Sequence, residues 1–465
     1  MNSGLPRPVG RQREVLYLPA KDHTVVLGTA GSGKTTLAIL RSAFLSDPRT
    51  EHAGKTLLVT FNRCLVSYLH WLRGCAISSI DVRNYHHFAR GYLASRGYDM
   101  NWAICQSDQR EGLCQQAVDA IIASGLTRRI LKRPINFIVE EIRWIEQHGV
   151  RTAEEYKEAE RIGQGTRVAR ADRRAIFEVY ERYLRLRQAM GKPYDWDDLA
   201  QHVLDELEQD DTVRMYRHII IDEGQDFSPM MTRSLARAIP KNGSLTFFGD
   251  MAQQIYGNRM SWRSAGLSVS KVWKFEENYR NSKQIAAIAI AIANMPYFRG
   301  YPDLVEPNSP TADGPPPTLV EFDSEAAEMK FIVDRAIKAA RTKTVAVLFR
   351  DRKIEKIFSQ HLPRNAKRLH RELNSWPTGP SLFYGTYHAA KGLEFNSVFV
   401  PFLSEERLPR QKDIDAFGNS EAQAIDGRLF YVAVTRAQHD LILTFTETPS
   451  ALLPLNGALY RRLRG

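Results

Sequence analysis

The chain has 465 residues, of which 43% are hydrophobic and 25% charged, and 64 Lys and Arg face 53 Asp and Glu for a formal net charge of +11. These proportions are ordinary for a soluble globular protein and exclude a disordered chain or a small disulfide-stapled scaffold, and no apolar run approaches the roughly 20 residues a membrane-spanning helix needs. The positive balance hints at a polyanionic partner without identifying it. At roughly 150 residues per domain the length suggests about three domains. Met1 to Gly10 has no apolar core of a signal peptide, and Cys64, Cys75, Cys105 and Cys114 show no C-x-x-C spacing. A reducing cytoplasm is the expected compartment, and neither a disulfide frame nor structural zinc is expected.

The first informative segment is Thr24-Val25-Val26-Leu27-Gly28-Thr29-Ala30-Gly31-Ser32-Gly33-Lys34-Thr35-Thr36, followed by the helical pattern Leu37, Ala38, Ile39, Leu40. It reads as strand, loop and helix around G-x-x-x-x-G-K-T. Gly28, Gly31 and Gly33 let the backbone fold tightly, so that successive N–H groups, including those at Ser32 and Thr36, surround an anion at a helix N-terminus. Lys34 is placed to reach the β- and γ-phosphates of a nucleotide, and the Thr35 hydroxyl to ligate Mg²⁺.

Residues 90–199 differ from their flanks. They read as helix-rich, and Arg128 to Lys192 holds 16 Lys and Arg against 10 Asp and Glu, a net of +6. A helix from Asp172 to about Met190 puts Ile176, Val179, Tyr180, Tyr183 and Leu184 on one face and arginines on the other. Those arginines suit either a solvated face or a surface for the polyanionic partner. The segment interrupts an α/β layer, because Lys34 stands 188 positions from the next acidic strand end, Tyr216 to Glu223. There Asp222 is the expected Mg²⁺ partner and Glu223 the group that orients or deprotonates an attacking water. Further on, Val345–Phe349, Ser397–Val400 and Leu441–Leu443 read as strands among helical patterns at Gln284–Asn294, Glu325–Ala340 and Arg428–Ala437, with a turn-rich linker at Asp313–Pro317. No second P-loop occurs in this half.

In this order the motifs resemble those of UvrD/Rep-type superfamily 1 helicases. Val59-Thr60-Phe61-Asn62, Asn84-Tyr85-His86, Asp195-Trp196-Asp197-Asp198-Leu199, Asp222-Glu223-Gly224-Gln225-Asp226, Gly249-Asp250-Met251-Ala252-Gln253-Gln254-Ile255-Tyr256, Asn278-Tyr279-Arg280, Thr386–Phe395 and Arg428–Ala437 each resemble a family motif. The resemblance implies an α/β fold of two RecA-like parallel-sheet lobes: residues 1–89 and 200–275, then 276–465, with a helical 1B-type insertion at 90–199. It implies ATP and Mg²⁺ as cofactors. Gln12 would read the adenine edge, Tyr279 would stack on the base, Glu394 would bind the ribose and Gln253 would sense the γ-phosphate. Arg280 and Arg436 would act as arginine fingers from the second lobe. Thr60, Phe61, Asn62, His86, Tyr256, Trp262, Thr386 and His388 would face single-stranded DNA.

Three departures from the family pattern stand out. Thr36 replaces the arginine that sandwiches adenine in many relatives. Gly257 to Met260 lengthen the segment between Tyr256 and Trp262. Residues 351–385, only 35, lie where relatives insert a large 2B domain, which is therefore expected to be absent or vestigial. Two readings follow. One is an ATP-driven 3′→5′ translocase or helicase on single-stranded DNA or a tailed duplex. The other is a DNA-sensing ATPase that gates a partner nuclease in a repair or anti-phage defence complex.

Overall fold

The computed structural model describes residues 8, 10–29, 31–62, 65–67, 69, 80–161, 163–250, 262–275, 281–298, 312–370, 376–377, 379–454 and 456–465. Gln253, Tyr256, Tyr279, Arg280 and the Gly257–Met260 segment lie outside the described residues.

The first sheet contains β1 (Asp22–Gly28), β2 (Thr56–Thr60), β3 (Ile80–Asn84), β4 (His218–Ile221), β5 (Ser244–Gly249) and β6 (Val272–Phe275), in the order β3-β2-β4-β5-β1-β6. All pairings are parallel. Every residue of β2, β4 and β5 is buried, as expected of parallel strands covered on both faces. This explains why Ile219-Ile220-Ile221 reads as an unbroken apolar run rather than an alternating one. The consequence for function is positional. Neighbouring strands β4, β5 and β1 end side by side, so Asp222-Glu223, Asp250 and the Gly28–Lys34 loop share one edge of the sheet. Ligand crevices of open α/β sheets form at this carboxyl edge.

The second sheet contains β7 (Thr318–Phe322), β8 (Thr344–Phe349), β9 (Lys367–Arg368), β10 (Ser381–Thr386), β11 (Phe395–Val400), β12 (Ala437–Thr446) and β13 (Arg461–Arg464), in the order β13-β7-β12-β11-β8-β10-β9, again parallel. Two parallel-sheet α/β lobes therefore make the frame. The pattern read as helical through Ala437 divides differently here. The helix Asn419–Val434 stops at Thr435, and Ala437 opens β12. Between β8 and β10 the described elements are the helix Arg352–Ser359 and the two-residue β9.

The helical insertion has a core of its own, including Phe137, Ile142, Ile145, Ile176, Val179 and Tyr183. Residues 90–104 belong elsewhere, since Leu93, Met100 and Ile104 pack into the first lobe and Cys105 begins the insertion's core. The chain enters and leaves the insertion through paired segments. Ile104 bridges Tyr194 in parallel, and the Cys105 amide donates to the Tyr194 carbonyl at 2.8 Å.

Candidate functional site

The loop after β1 takes the shape its glycines permit. Gly31 and Gly33 have φ of 82° and 80°, a left-handed region that side chains disfavour. Gly28 is required by space instead, because a Cβ there would lie 2.5 Å from Ser32 Oγ. Gly33 caps the helix Lys34–Leu45, whose first-turn amides face the loop. Lys34 is buried. Its ammonium donates to the carbonyls of Gly28 at 2.8 Å and Thr29 at 2.6 Å, and lies 3.7 Å from Asp250. Gln12 Nε2 donates to the Ser32 carbonyl at 3.0 Å, which fixes this side chain beside the loop.

The acidic pair follows β4. Asp222 is buried, the Thr35 hydroxyl hydrogen-bonds its carboxylate, and its Oδ2 is enclosed with no hydrogen-bond partner. Burial first, and then the neighbouring Glu223, push the Asp222 carboxyl up to about 7. An orphaned buried carboxylate oxygen beside a hydroxyl is a donor set that fits a hard divalent cation. Glu223 behaves oppositely. Burial raises its pKa, but Lys391, Arg436 and Lys34 together outweigh burial and hold it below the ordinary value. Its backbone is left-handed at φ 55° and ψ 42°, a costly conformation for a non-glycine residue and one that gathers at functional sites. Gln225 Nε2 donates to Glu223, and Gln225 Oε1 accepts from the Asp250 amide at 2.7 Å.

The second lobe supplies cations to this edge. Arg436 is wholly buried, its Nε donates to the Val432 carbonyl at 3.0 Å, and its charge acts on Glu223. Asn281 Nδ2 donates to the carbonyls of Thr435 and Ala437 on either side of Arg436. Lys391 forms a buried ion pair with Asp226 of the first lobe. Glu394 is half-buried and accepts from Gln438 Nε2 at 3.0 Å. Together these groups can fix a polyphosphate, hold a metal beside it and keep an ionised carboxylate ready to accept a proton.

A second cluster lies at the ends of β2 and β3. Phe61 is half-buried, with His86 at 5.5 Å and Phe227 at 6.4 Å between ring centroids. His86 in turn meets Trp196 at 5.1 Å. Asn84 caps the following helix by accepting from the His87 amide at 2.9 Å, which sets the direction of His86. Trp196, whose motif in the sequence carries no sign of this role, faces the same cavity as Phe61 and His86. Thr60 is buried at the end of β2, so its side chain is not on an open face. Asn62 Nδ2 spans the lobes to the carbonyls of Ala389 at 3.2 Å and Lys391 at 2.7 Å. Trp262 is half-buried against Phe247, with centroids 5.2 Å apart.

Thr386 ends β10, and its hydroxyl accepts from the Ala389 amide at 3.3 Å. His388 lines a cavity of about 320 Å³ between the insertion and the second lobe, with Arg143, Arg350, Arg410 and Arg428. Burial, and then Arg350, Lys391, Arg410 and Arg352, lower its pKa to about 3, so His388 is neutral at ordinary pH.

Residues 10–277 match the UvrD/REP helicase N-terminal domain, and residues 365–448 match the UvrD-like helicase C-terminal domain. The chain belongs to the UvrD/REP helicase family. The ATP-dependent DNA helicase UvrD2 of Mycobacterium tuberculosis is 25% identical over 384 residues, covering 76% of this chain and 53% of that protein. The ATP-dependent DNA helicase srs2 of Schizosaccharomyces pombe is 26% identical over 306 residues, 60% of this chain and 34% of that protein. A probable DNA helicase of Mycoplasma pneumoniae is 24% identical over 454 residues, 92% of this chain and 81% of that protein. The chain thus spans about half the length of the UvrD2 proteins it matches. Among the described residues of this UvrD/REP family member, no helix is long and apolar enough to cross a membrane.

Proposed function

We propose that the protein hydrolyses ATP between its two lobes and uses the cycle to move 3′→5′ along single-stranded DNA, alone or at the end of a tailed duplex. The observation that carries this reading is the gathering of Lys34, Thr35, Asp222 and Glu223 of one lobe with Lys391 and Arg436 of the other at a single buried edge. Phosphoryl transfer needs positioning and charge neutralisation more than covalent chemistry, and this edge supplies both.

Lys34 exchanges its loop carbonyls for the β- and γ-phosphate oxygens, while Gly28 to Thr36 wrap the phosphates. Gln12 and Tyr279 hold the base and Glu394 the ribose. Thr35 and Asp222 would hold Mg²⁺, and the ion would neutralise charge on the phosphate oxygens. Glu223 accepts the proton of the attacking water, held in line by Gln225, and Gln253, Arg280 and Arg436 meet the γ-phosphate as the lobes close. On the DNA side Phe61, Tyr256 and Trp262 offer rings for base stacking, which tolerates any sequence. Trp196 joins them by its contact with His86. Asn62, Thr386 and His388 line the same path, and the arginines around His388 attract the backbone. Residues of the insertion, among them Arg143 and Gln147, line the cavity that holds His388, and between β8 and β10 the described elements are one helix and β9. A cytoplasmic setting suits the buried free thiols of Cys105 and Cys114.

The test is ATP turnover of the full chain with and without oligothymidylate, comparing wild type with Glu223→Gln. DNA should stimulate the wild type strongly, and the variant should lose about 10²–10⁴-fold, the usual worth of a positioned general base. Equal turnover with and without DNA would overturn the proposal. Polarity is read by the displacement of streptavidin from one end of a biotinylated strand and not the other.

A further inference from the structure

The outer edge of the second sheet has features that neither the nucleotide cleft nor the aromatic cluster uses. β13 is the last strand in the order, and among the described residues its only pairing is with β7. All four of its residues are exposed, including Leu463 at 39%. In the parallel register Arg461 stands beside Thr318 and Leu463 beside Val320, so both project to one face. On that face lies the helix Glu325–Ala339, and between helix and strand runs a groove of about 340 Å³.

The floor of the groove is apolar, with Phe331 and Ile442, and its rim is basic, with Arg335, Lys338 and Arg461. Arg335 sits 5.5 Å over the Phe331 ring. Among the described residues none of these three cations has an ion-pair partner. The acid in the groove, Asp440, is already committed to Lys343 and to the Ser397 hydroxyl, the latter at 2.7 Å. The groove therefore offers uncommitted positive charge and an apolar strip, and the outer edge of β13 beside it pairs with no other strand among the described residues. Arginines on an open edge repel most other strands but select one of opposite charge. β10, which leads to His388, is five strands away in the sheet order, or about 24 Å at the usual strand spacing. That separation favours a protein occupant over the nucleic acid of the proposed translocation path.

We propose that this groove binds an extended acidic segment of a partner protein, which adds to β13 as a further strand. Its backbone pairs with the β13 edge, its aliphatic side chains rest on Leu463 and Phe331, and its carboxylates meet Arg335, Lys338 and Arg461. The proposal goes beyond the translocase reading and does not depend on it.

The test uses the full chain and a fluorescein-labelled dodecapeptide of alternating glutamate and valine, followed by anisotropy. A dodecapeptide of alternating glutamate and proline has equal charge but lacks half of the amide donors, and should bind at least about tenfold more weakly. Arg335→Glu combined with Arg461→Glu should weaken the glutamate–valine peptide at least about tenfold, with oligothymidylate affinity held within about twofold. Should that variant fail to fold, Lys338→Glu on the exposed helix surface gives the same reading. No wild-type binding, equal binding of the proline peptide, or insensitivity to the substitutions would each overturn the proposal. So would a parallel loss of oligothymidylate, which would mark the groove as a nucleic-acid surface.

Discussion

Gln225 spans the distance between two motifs that are far apart in the chain. Its amide nitrogen donates to the Glu223 carboxylate and its carbonyl accepts from the Asp250 amide, 25 positions away. The D-E-x-Q-D box makes Gln225 visible in the sequence, but not its task, because the Asp250 amide comes to it only when β4 and β5 pair. The same holds for Asn281, whose two bonds brace the chain on both sides of Arg436. Glu223 itself is legible as a type and a spacing. Its left-handed backbone is not, since nothing in the composition of the segment demands φ of 55° at a glutamate. Because the Gln225 hydrogen bond favours the ionised form of Glu223, Gln225→Ala should raise the carboxyl pKa. The acid limb of the kcat–pH profile then moves to higher pH, and kcat at neutral pH falls up to about tenfold, the worth of one orienting hydrogen bond. Binding of a fluorescent ATP analogue should hardly change. Loss of nucleotide affinity without movement of the acid limb would show that Gln225 shapes the pocket and does not position Glu223.

At the scale of the element, the insertion shows where periodicity informs and where it misleads. The apolar face of the long helix is legible: Ile176, Val179 and Tyr183 are fully buried, as their spacing predicts. The arginine face is not. Arg173 and Arg187 of the same helix Arg170–Ala189 are buried, whereas Arg174 is exposed. Arg187 lies 3.0 Å from Asp195 and also pairs with Asp198, and Arg110 pairs with Glu146 and Asp197. Arg173 and Arg187 are therefore internal structure of the insertion, whereas the other cations between Arg128 and Lys192 stay exposed or half-buried. The acidic partners come from the Asp195–Asp198 segment, distant enough in sequence that no local pattern joins them to Arg110. Removing one member of such a network leaves carboxylates buried without a cation, a loss of roughly 3–5 kcal/mol. Arg187→Ala should lower the urea midpoint accordingly. Arg174→Ala, which loses one exposed pair with Glu178, should stay within about 0.5 kcal/mol of wild type. Equal effects of the two substitutions would mean that the buried network contributes nothing specific to stability.

For the whole molecule the deciding contact is the one between lobes. Asn62, Leu65 and Asp226 of the first lobe meet Lys391 and Gly392 of the second, and all the second-lobe partners fall within one motif. A motif spacing can announce Lys391-Gly392, yet only the packed lobes explain why a glycine follows the lysine. Gly392 has φ of 77°, and a Cβ there would lie 2.7 Å from Leu65 Cδ2. An alanine therefore carries two separate penalties. The left-handed backbone costs about 1–2 kcal/mol within the second lobe, wherever the first lobe stands. The steric contact exists only when the lobes are together, so it acts as a wedge on closure. Gly392→Ala should increase the radius of gyration measured by small-angle scattering and depress DNA-stimulated ATP turnover. Leu65→Ala in the same chain removes the methyl groups that meet the new Cβ. The double variant should recover the wild-type radius and part of the turnover while keeping the lower melting temperature of the single one, because the backbone penalty is untouched. Contacting residues couple in this way and distant ones add. If the two substitutions simply add in both turnover and radius, Leu65 and Gly392 do not set how closely the lobes approach, and the Asp226–Lys391 pair and the Asn62 hydrogen bonds are left as contacts that do.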